Sequence, residues 1–417
     1  MYKAPRGTAD VLPADQLYWS HIIQTAEALC RRYGYQRIDT PLFEDAGLFQ
    51  RSIGAGTDIV EKETYSFEDR SHELLTLRPE GTAPVCRAYL EHGMHNLPQP
   101  VKLYYIAPSF RYERPQAGRY RQFHQFGYEA LGETDPALDA EVIDMAWQLY
   151  RELGIGGLTV LLNSIGDSQC RPAYIQALVA YYQGLDDRMC RDCRMRLEKN
   201  PLRLLDCKQE GCQPLIQAAP KMLDYLCQEC RDHFAHVERY LSLLGVPYQI
   251  EHRLVRGLDY YTKTVFEVAP SGGGQQSTVG AGGRYDGLIE ALGGRPTPGI
   301  GFAAGVERMA LTLKRQGTVL DDPGRPQVYL AYHGAAAKDA AVRLARQLRD
   351  AGLNTTLAVG DRSLRAQLRH ANALNAAHAA IIGEEEVGQG TVTLRHLETG
   401  DQETVPQAGL AGRLAGR

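Results

Sequence analysis

The chain has 417 residues, 44% hydrophobic and 23% charged, with a formal net charge of -4, which is ordinary globular composition and excludes a generally basic nucleic-acid binder. Its length exceeds one compact core and points to about two or three domains, while local basic patches remain open to a nucleic acid. No apolar run approaches the ~20 residues that cross a bilayer.

In chain order, MYKAPRGTADVLP lacks the apolar stretch of a secretory signal, which points to a cytoplasmic protein with no membrane partner. Residues 14–33 place Tyr18, Ile22, Ala26, Leu29 and Tyr33 at helical spacing, with Gly34 as a stop. YQRIDTPLFED reads as a short strand broken by Pro41, suited to a sheet edge or a subunit contact. Residues 102–113 and 121–131 alternate apolar and polar around RPQAGRY, which predicts a hairpin. A helix near 138–153, the strand TVLLNSIG and a mostly helical stretch over 168–245 follow. Strands are expected again at 248–254, 259–269 and 277–285, and PGIGFAAGVERMALTLKRQG predicts a glycine-lined strand entering a helix.

The segment GTVLDDPGRP, 317–326, has the composition of a linker. Beyond it VYLAYH, a helix near 336–351, TTLAV, a helix near 363–376 and AAIIG predict a small parallel α/β unit. The first 320 residues instead suggest an α+β domain, a mainly antiparallel sheet with helices packed around it.

Neither GxxxxGK[ST] nor a GxGxxG between strand and helix is present, so any nucleotide phosphate must be held largely by arginines, whose guanidinium forks match phosphate oxygens. A period of two puts Tyr105, Ala107, Ser109, Arg111 and Glu113 on one face of the first hairpin strand. It puts Arg121, Phe123, Gln125, Gly127 and Glu129 on one face of the second, with Gly127 leaving room for a ligand. The solvent face of an antiparallel sheet would alternate in the same way.

FRYERPQAGRYRQFHQFGYE (110–129) resembles the second signature motif of class II aminoacyl-tRNA synthetases, and GIGFAAGVERMAL (299–311) resembles their third. YQRIDTPLFED is similar to their first, which forms the dimer interface in that family. LRPEGTA (77–83), RGLDYYTKTVFE (256–267) and GAGGRYDGL (280–288) are similar to the signatures of histidyl-tRNA synthetases, and the likeness runs nearly end to end. The resemblance implies a class II catalytic domain over 1–320 with a helical insertion at 168–245, and an α/β anticodon-binding domain over 327–417.

It further implies a homodimer that uses ATP with Mg²⁺ to join L-histidine to tRNA(His) through a histidyl-adenylate, releasing AMP and pyrophosphate. In that reading Arg256 contacts the histidine carboxylate and the α-phosphate, Arg111 the α-phosphate and Arg308 the γ-phosphate. Glu113 and Arg119 join the ATP site. Glu80, Gly81, Thr82 and Gln125 surround the α-ammonium group, and Glu129, Tyr260, Tyr261 and Tyr285 the imidazole. Arg114, Gln116, Arg119 and Arg121 lie at the loop that meets the tRNA acceptor end. Arg362, Arg365 and Arg369 form a basic edge of the C-terminal domain.

Seven of the nine cysteines lie between Cys170 and Cys230. Cys190/Cys193, Cys207/Cys212 and Cys227/Cys230 have the spacing of zinc ligand pairs, with His233 and His236 as nearby donors. The same residues could simply pack on an amphipathic helix. A structural zinc is open but not the favoured reading, and no metal ligand is assigned. Two rival readings stand beside the ligase: a non-catalytic histidine sensor like the regulatory subunit of ATP phosphoribosyltransferase, and a metal-binding interaction protein.

Overall fold

The apolar stripe at residues 14–33 forms the helix Pro13–Arg32, which buries Trp19, Ile22, Ala26, Leu29 and Cys30. This comes from a computed structural model, which describes residues 2–415 apart from 55, 56, 58, 115–117, 272–277, 323 and 361. The described chain clusters into two compact units that meet in sequence between Leu320 and Asp321.

In the first unit the strands are β1 (Gln36–Arg37), β2 (Phe43–Asp45), β3 (Tyr65–Glu68), β4 (Leu74–Leu77), β5 (Val101–Phe110), β6 (Gln122–Leu131), β7 (Leu158–Ser164), β8 (Tyr248–Ile250), β9 (Thr262–Pro270), β10 (Gly280–Arg284) and β11 (Gly299–Gly305). Eight of them form one sheet in the order β1-β5-β6-β11-β10-β9-β7-β8, while β2, β4 and β3 form a small separate sheet. Pairing is antiparallel except at the two ends, where β1–β5 and β7–β8 are parallel. Pro41 does divide YQRIDTPLFED: β1 is the sheet edge and β2 joins the small sheet. The expected strand 248–254 is shorter, since only Tyr248–Ile250 pairs.

Period-two alternation sends Phe126, Tyr128, Phe266, Ile300 and Phe302 to one face of the large sheet. There they pack with the helices Pro13–Arg32, Pro136–Glu152 and Val306–Arg315 into the main core. The opposite face carries the polar groups. One helix covering it, Thr82–Glu91, begins directly after Gly81, and both oxygens of Glu80 cap it by accepting from the Thr82 and Ala83 amides at 2.8 Å. The buried Arg78 pins the preceding turn, donating to the Thr40 and Pro108 carbonyls at 2.9 and 2.8 Å. LRPEGTA is thereby held against the end of β5.

The stretch 168–245 is mostly helical, with helices at Arg171–Tyr182, Arg191–Lys199 and Gln213–Gln217 around a core of their own, whereas the helix Gln228–Leu244 turns Phe234, Val237 and Leu241 into the main core and gives the smaller one only Cys230.

The second unit departs from a purely parallel plan. β12 (Val328–Tyr332), β13 (Thr355–Leu357) and β14 (His378–Ile382) are parallel and alternate with helices Ala335–Asp350 and Leu364–Ala373. β15 (Thr391–His396) and β16 (Gln402–Pro406) then extend the sheet antiparallel, order β13-β12-β14-β15-β16. TVTLRH and QETVP are too polar and short to stand out by alternation alone.

Candidate active site

Cross-strand register builds the floor of the site. Tyr105, Gly127, Ala303, Ala281 and Glu267 form one row across β5, β6, β11, β10 and β9. Ala303 and Ala281 in that row, being small, leave space above the sheet. The result is a cleft of about 320 Å³ lined by Arg111, Glu113, Arg119, Arg256, Glu267 and Arg308, among others.

The three arginines that the sequence singles out therefore reach one cleft, although they lie on distant segments. Arg111 follows β5, and its Nε donates to the Pro79 carbonyl at 2.9 Å. Arg308 sits in the first turn of the helix Val306–Arg315, where its Nη1 donates to the Thr278 carbonyl at 2.7 Å. Arg256 pairs with Glu267 at 2.5 Å, and its guanidinium lies 5.5 Å from the Tyr261 ring centre. The Nε of Arg256 is buried with no hydrogen-bond partner among the described residues. Such an orphaned donor is costly unless an anion satisfies it.

Electrostatics point the same way. Burial, and then the like charge of Arg119, depress the Arg308 guanidinium. Arg256 is also penalised by burial, but the surrounding tyrosines and Glu267 more than offset this and hold it cationic. A half-buried cluster of cations is relieved by a polyanion. Of the carboxylates in the cleft, Glu267 is committed to Arg256 and to the Thr278 hydroxyl at 2.6 Å. Glu307 accepts from the His124 amide at 2.8 Å. Glu113 is held more loosely, 3.4 Å from Arg119 and 4.0 Å from Arg111.

Beside the cleft, behind Arg256, lies a second polar group. Glu129 is 1% exposed and accepts from Thr82 Oγ1 at 2.7 Å, from Tyr105 Oη at 3.2 Å and from Tyr285 Oη. Burial pushes its carboxyl up to about 8, partly opposed by those hydroxyl donors. The Tyr260 ring packs tilted against Tyr261 at 4.7 Å and meets Tyr285 edge-on at 5.7 Å. Gln125 faces the cleft and accepts from Ser109 Oγ at 3.1 Å. Burial also raises the Glu80 carboxyl, against the two amides it caps. Glu80, Gly81, Thr82, Glu129, Tyr260, Tyr261 and Tyr285 are thus brought together, but they do not line the main cleft itself.

One expectation is corrected here. Gly127 does not leave room for a ligand. A Cβ on it would meet Tyr105 Cζ at 2.4 Å, and one on Gly81 would meet the same ring at 2.3 Å. Both glycines make space for Tyr105, whose hydroxyl then reaches Glu129.

The hairpin loop is less uniform. Arg114 is exposed, whereas Arg121 stacks on the Tyr112 ring at 3.7 Å and donates to the Glu113 carbonyl at 3.3 Å. Gln116 lies outside the described residues. In the second unit Arg362, Arg365 and Arg369 are all exposed, but only Arg365 and Arg369 lie on the helix Leu364–Ala373, while Arg362 precedes its cap, Ser363.

His233 is not a donor toward the cysteines. Its Nε2 is 2.9 Å from Asp139 Oδ2, and Asp139 also binds the fully buried Arg284. His236 turns instead to the Asp232 carbonyl at 2.7 Å. The cysteines themselves gather more closely than their spacing alone required. The sulfurs of Cys190, Cys193, Cys207 and Cys212 all lie within 4.8 Å of one another.

Tyr105 beneath Glu129 and the cleft-lining Glu267, Asp206 and Lys208 join the site without having been singled out by sequence. Glu267 carried a signal: a carboxylate inside the apolar run TVFEVA needs a cation opposite it. Asp206 and Lys208 carried none, because they approach only through the insertion's tertiary fold.

Comparison with known proteins is consistent with this architecture. A family model described as histidyl-tRNA synthetase matches residues 7–309, and one described as an anticodon binding domain matches residues 327–417. The chain is 57% identical over 406 residues to a histidine–tRNA ligase of Dehalococcoides mccartyi, covering 97% of each chain. It is 50% identical over 401 residues to that of Desulforamulus reducens, covering 96% of each. The apo crystal structure of the S. aureus histidyl-tRNA synthetase superposes with a TM-score of 0.84 at 37% identity, covering 99% of this chain and all of that one.

Proposed function

The chain belongs to the histidyl-tRNA synthetase family, and from that premise we propose how its cleft charges tRNA(His) with histidine. A carboxylate oxygen of histidine attacks the α-phosphorus of ATP, the bond to the β-phosphate bridging oxygen breaks, and pyrophosphate leaves. A ribose hydroxyl of the tRNA 3′ end then attacks the acyl carbon and displaces AMP.

The observation that carries this reading is the convergence of Arg111, Arg256 and Arg308 on one cleft. Charge develops on the α-phosphoryl oxygens as the pentavalent arrangement forms, and cations already fixed in place stabilise it without reorganising. Arg256 stands between the triphosphate cleft and the tyrosine group, so it is suited to touch both reacting partners. Arg111 takes the α-phosphate, Arg308 the γ-phosphate, and Arg119 with Glu113 completes the ATP site.

ATP enters this reaction with a divalent metal, which we assign as Mg²⁺. Among the described residues, sets of three or more metal-ligating groups occur only in the insertion, so the cleft has no preformed carboxylate cage. That suits an ion carried by the phosphate oxygens themselves, with Glu113 and Asp206 as loosely held protein carboxylates in the same cleft.

Glu129, with Tyr261 and Tyr285, is the imidazole end of the amino-acid site, and Glu80, Thr82 and Gln125 the ammonium end. A site of buried hydrogen-bonding groups rejects apolar amino acids by roughly 10⁴-fold or more, because its polar atoms would go unpaired. The non-catalytic sensor reading gains nothing here, since the ATP-facing arginines are all in place.

Arg114 and Gln116 of the hairpin loop, with Arg121 bracing it, meet the acceptor end, and the edge of Arg362, Arg365 and Arg369 meets the anticodon arm. Exposed Leu42 and Phe43 of the first motif, with exposed Phe67 on the neighbouring small sheet, support a homodimer. No helix among the described residues is long and apolar enough to cross a membrane, and none of the cysteines is paired in a disulfide, which suits the cytoplasm.

The test is ATP–pyrophosphate exchange across the standard amino acids, followed by charging of a tRNA(His) transcript. Exchange with histidine alone supports the assignment. Exchange driven by another amino acid, or none from folded protein, refutes it.

A further inference from the structure

We infer that the insertion is a zinc-stapled module. The first ion is held by Cys190, Cys193, Cys207 and Cys212, and a second by Asp167, Cys170, Cys227 and Cys230. In each set the ligand atoms lie within 4.8 Å of one another.

The spacing fits a single tetrahedral ion. Zinc–sulfur bonds of about 2.3 Å at tetrahedral angles put neighbouring sulfurs about 3.8 Å apart. Cys190 and Cys207 are 3.8 Å apart, and Cys170 and Cys230 are 3.7 Å apart. A multi-iron cluster would spread its ligands more widely than this. Backbone amides also aim at the sulfurs: Cys193 N at Cys190 Sγ, 3.4 Å, and Cys190 N at Cys212 Sγ, 3.4 Å. In the second set Cys230 N points at Cys227 Sγ, 3.5 Å. Donors of this kind favour thiolates and orient metal ligands. Neutral thiols gain little from meeting in fours, and thiolates would repel without a cation between them. Binding zinc resolves both, releasing one proton for every thiol it takes.

The module also needs a staple. Its helices at Arg191–Lys199 and Gln213–Gln217 are short, and several of its core side chains are the cysteines themselves. A core of that size is marginal by burial alone. The two sites do different work. Cys170 and Cys227 stand at the starts of helices Arg171–Tyr182 and Gln228–Leu244, so the second ion clamps the neck where the insertion leaves and rejoins the catalytic unit. The first ion fixes Cys207, whose neighbours Asp206 and Lys208 wall the cleft. Asn200 of the same module donates to Asp259 at 3.0 Å, within the RGLDYY segment.

The experiment is metal analysis of the full chain, expressed without a metal-binding tag in zinc-supplemented medium and dialysed. We expect two zinc ions per chain in the wild type, one in Cys207→Ser and one in Cys227→Ser. Cobalt substitution of the wild type should add tetrahedral d–d bands and thiolate charge transfer, a readout independent of whether the variants fold. A variant that keeps both ions overturns its site. Wild-type protein with no zinc and no cobalt spectrum overturns both, as does recovery of Cys190–Cys207 or Cys170–Cys230 as a disulfide from freshly prepared protein. None of these readouts depends on the ligase assignment.

Discussion

Gly301 of β11 lies directly across the sheet from Glu129 of β6, and a Cβ on Gly301 would sit 1.7 Å from Glu129 Oε2. The glycine is therefore the space into which the buried carboxylate fits. Gly301→Ala should push Glu129 off its hydroxyl donors and raise the KM for histidine by roughly two orders of magnitude. The KM for ATP should change by less than about threefold, because the arginine cleft is a separate wall. Steady-state exchange kinetics check this, and an unchanged histidine KM would remove Glu129 from the amino-acid site.

Glu129 also predicts a pH dependence. Its carboxyl is raised from 4.5 to about 8 by burial. An acid whose folded pKa is raised stabilises the fold fully below its unfolded pKa, and that contribution drains away as pH rises through the folded value. The ceiling is on the order of 5 kcal/mol. Between about pH 5 and pH 9 the wild-type Tm should therefore fall relative to Glu129→Gln, which cannot ionise. Parallel melting curves for the two proteins would contradict the raised pKa.

The buried group around Asp139 should behave in the opposite sense. Asp139 and Arg284 are both fully buried, and His233 completes the contact. Burial works to raise the Asp139 carboxyl, but Arg284 and the His233 hydrogen bond outweigh it and hold it below 3.8. A depressed carboxyl contributes stability above its unfolded pKa, lost as pH falls through the folded one. Asp139→Ala strips the buried guanidinium of its main partner, leaving it only Asp286 and the Glu133 carbonyl, and should cost about 3–5 kcal/mol in urea unfolding at neutral pH, with the gap closing toward acid. Because Arg284 immediately precedes Tyr285, histidine affinity should weaken too. A loss under about 1 kcal/mol would mean that the carbonyl of Glu133 and Asp286 suffice for Arg284.

Much of this was legible in the sequence because it is local. Alternation located the hairpin and put Gln125 and Glu129 on one face of β6. Motif order brought Arg111, Arg256 and Arg308 into a single hypothesis. What stayed hidden depends on which distant side chain fills a given volume. Gly127 looked like ligand space, yet Tyr105 from the adjacent strand claims it. His233 looked like a metal donor, yet Asp139, far away in sequence, holds it. The cysteine spacing was equally compatible with packing on a helix, and only the folding of the insertion shows the sulfurs converging. The β15–β16 hairpin escaped because its outward residues are polar and its strands brief.

Guanidinium groups fixed in one cleft before ATP arrives are the centre of the proposed chemistry, with Arg256 as the one that faces both substrates. Histidine-dependent ATP–pyrophosphate exchange by Arg256→Ala, compared with wild type of matching circular dichroism, tests it most directly. The predicted result is a fall of about 10³-fold or more in kcat with histidine binding weakened far less, as expected for charge stabilisation confined to the transition state. Exchange within about threefold of wild type would contradict the account.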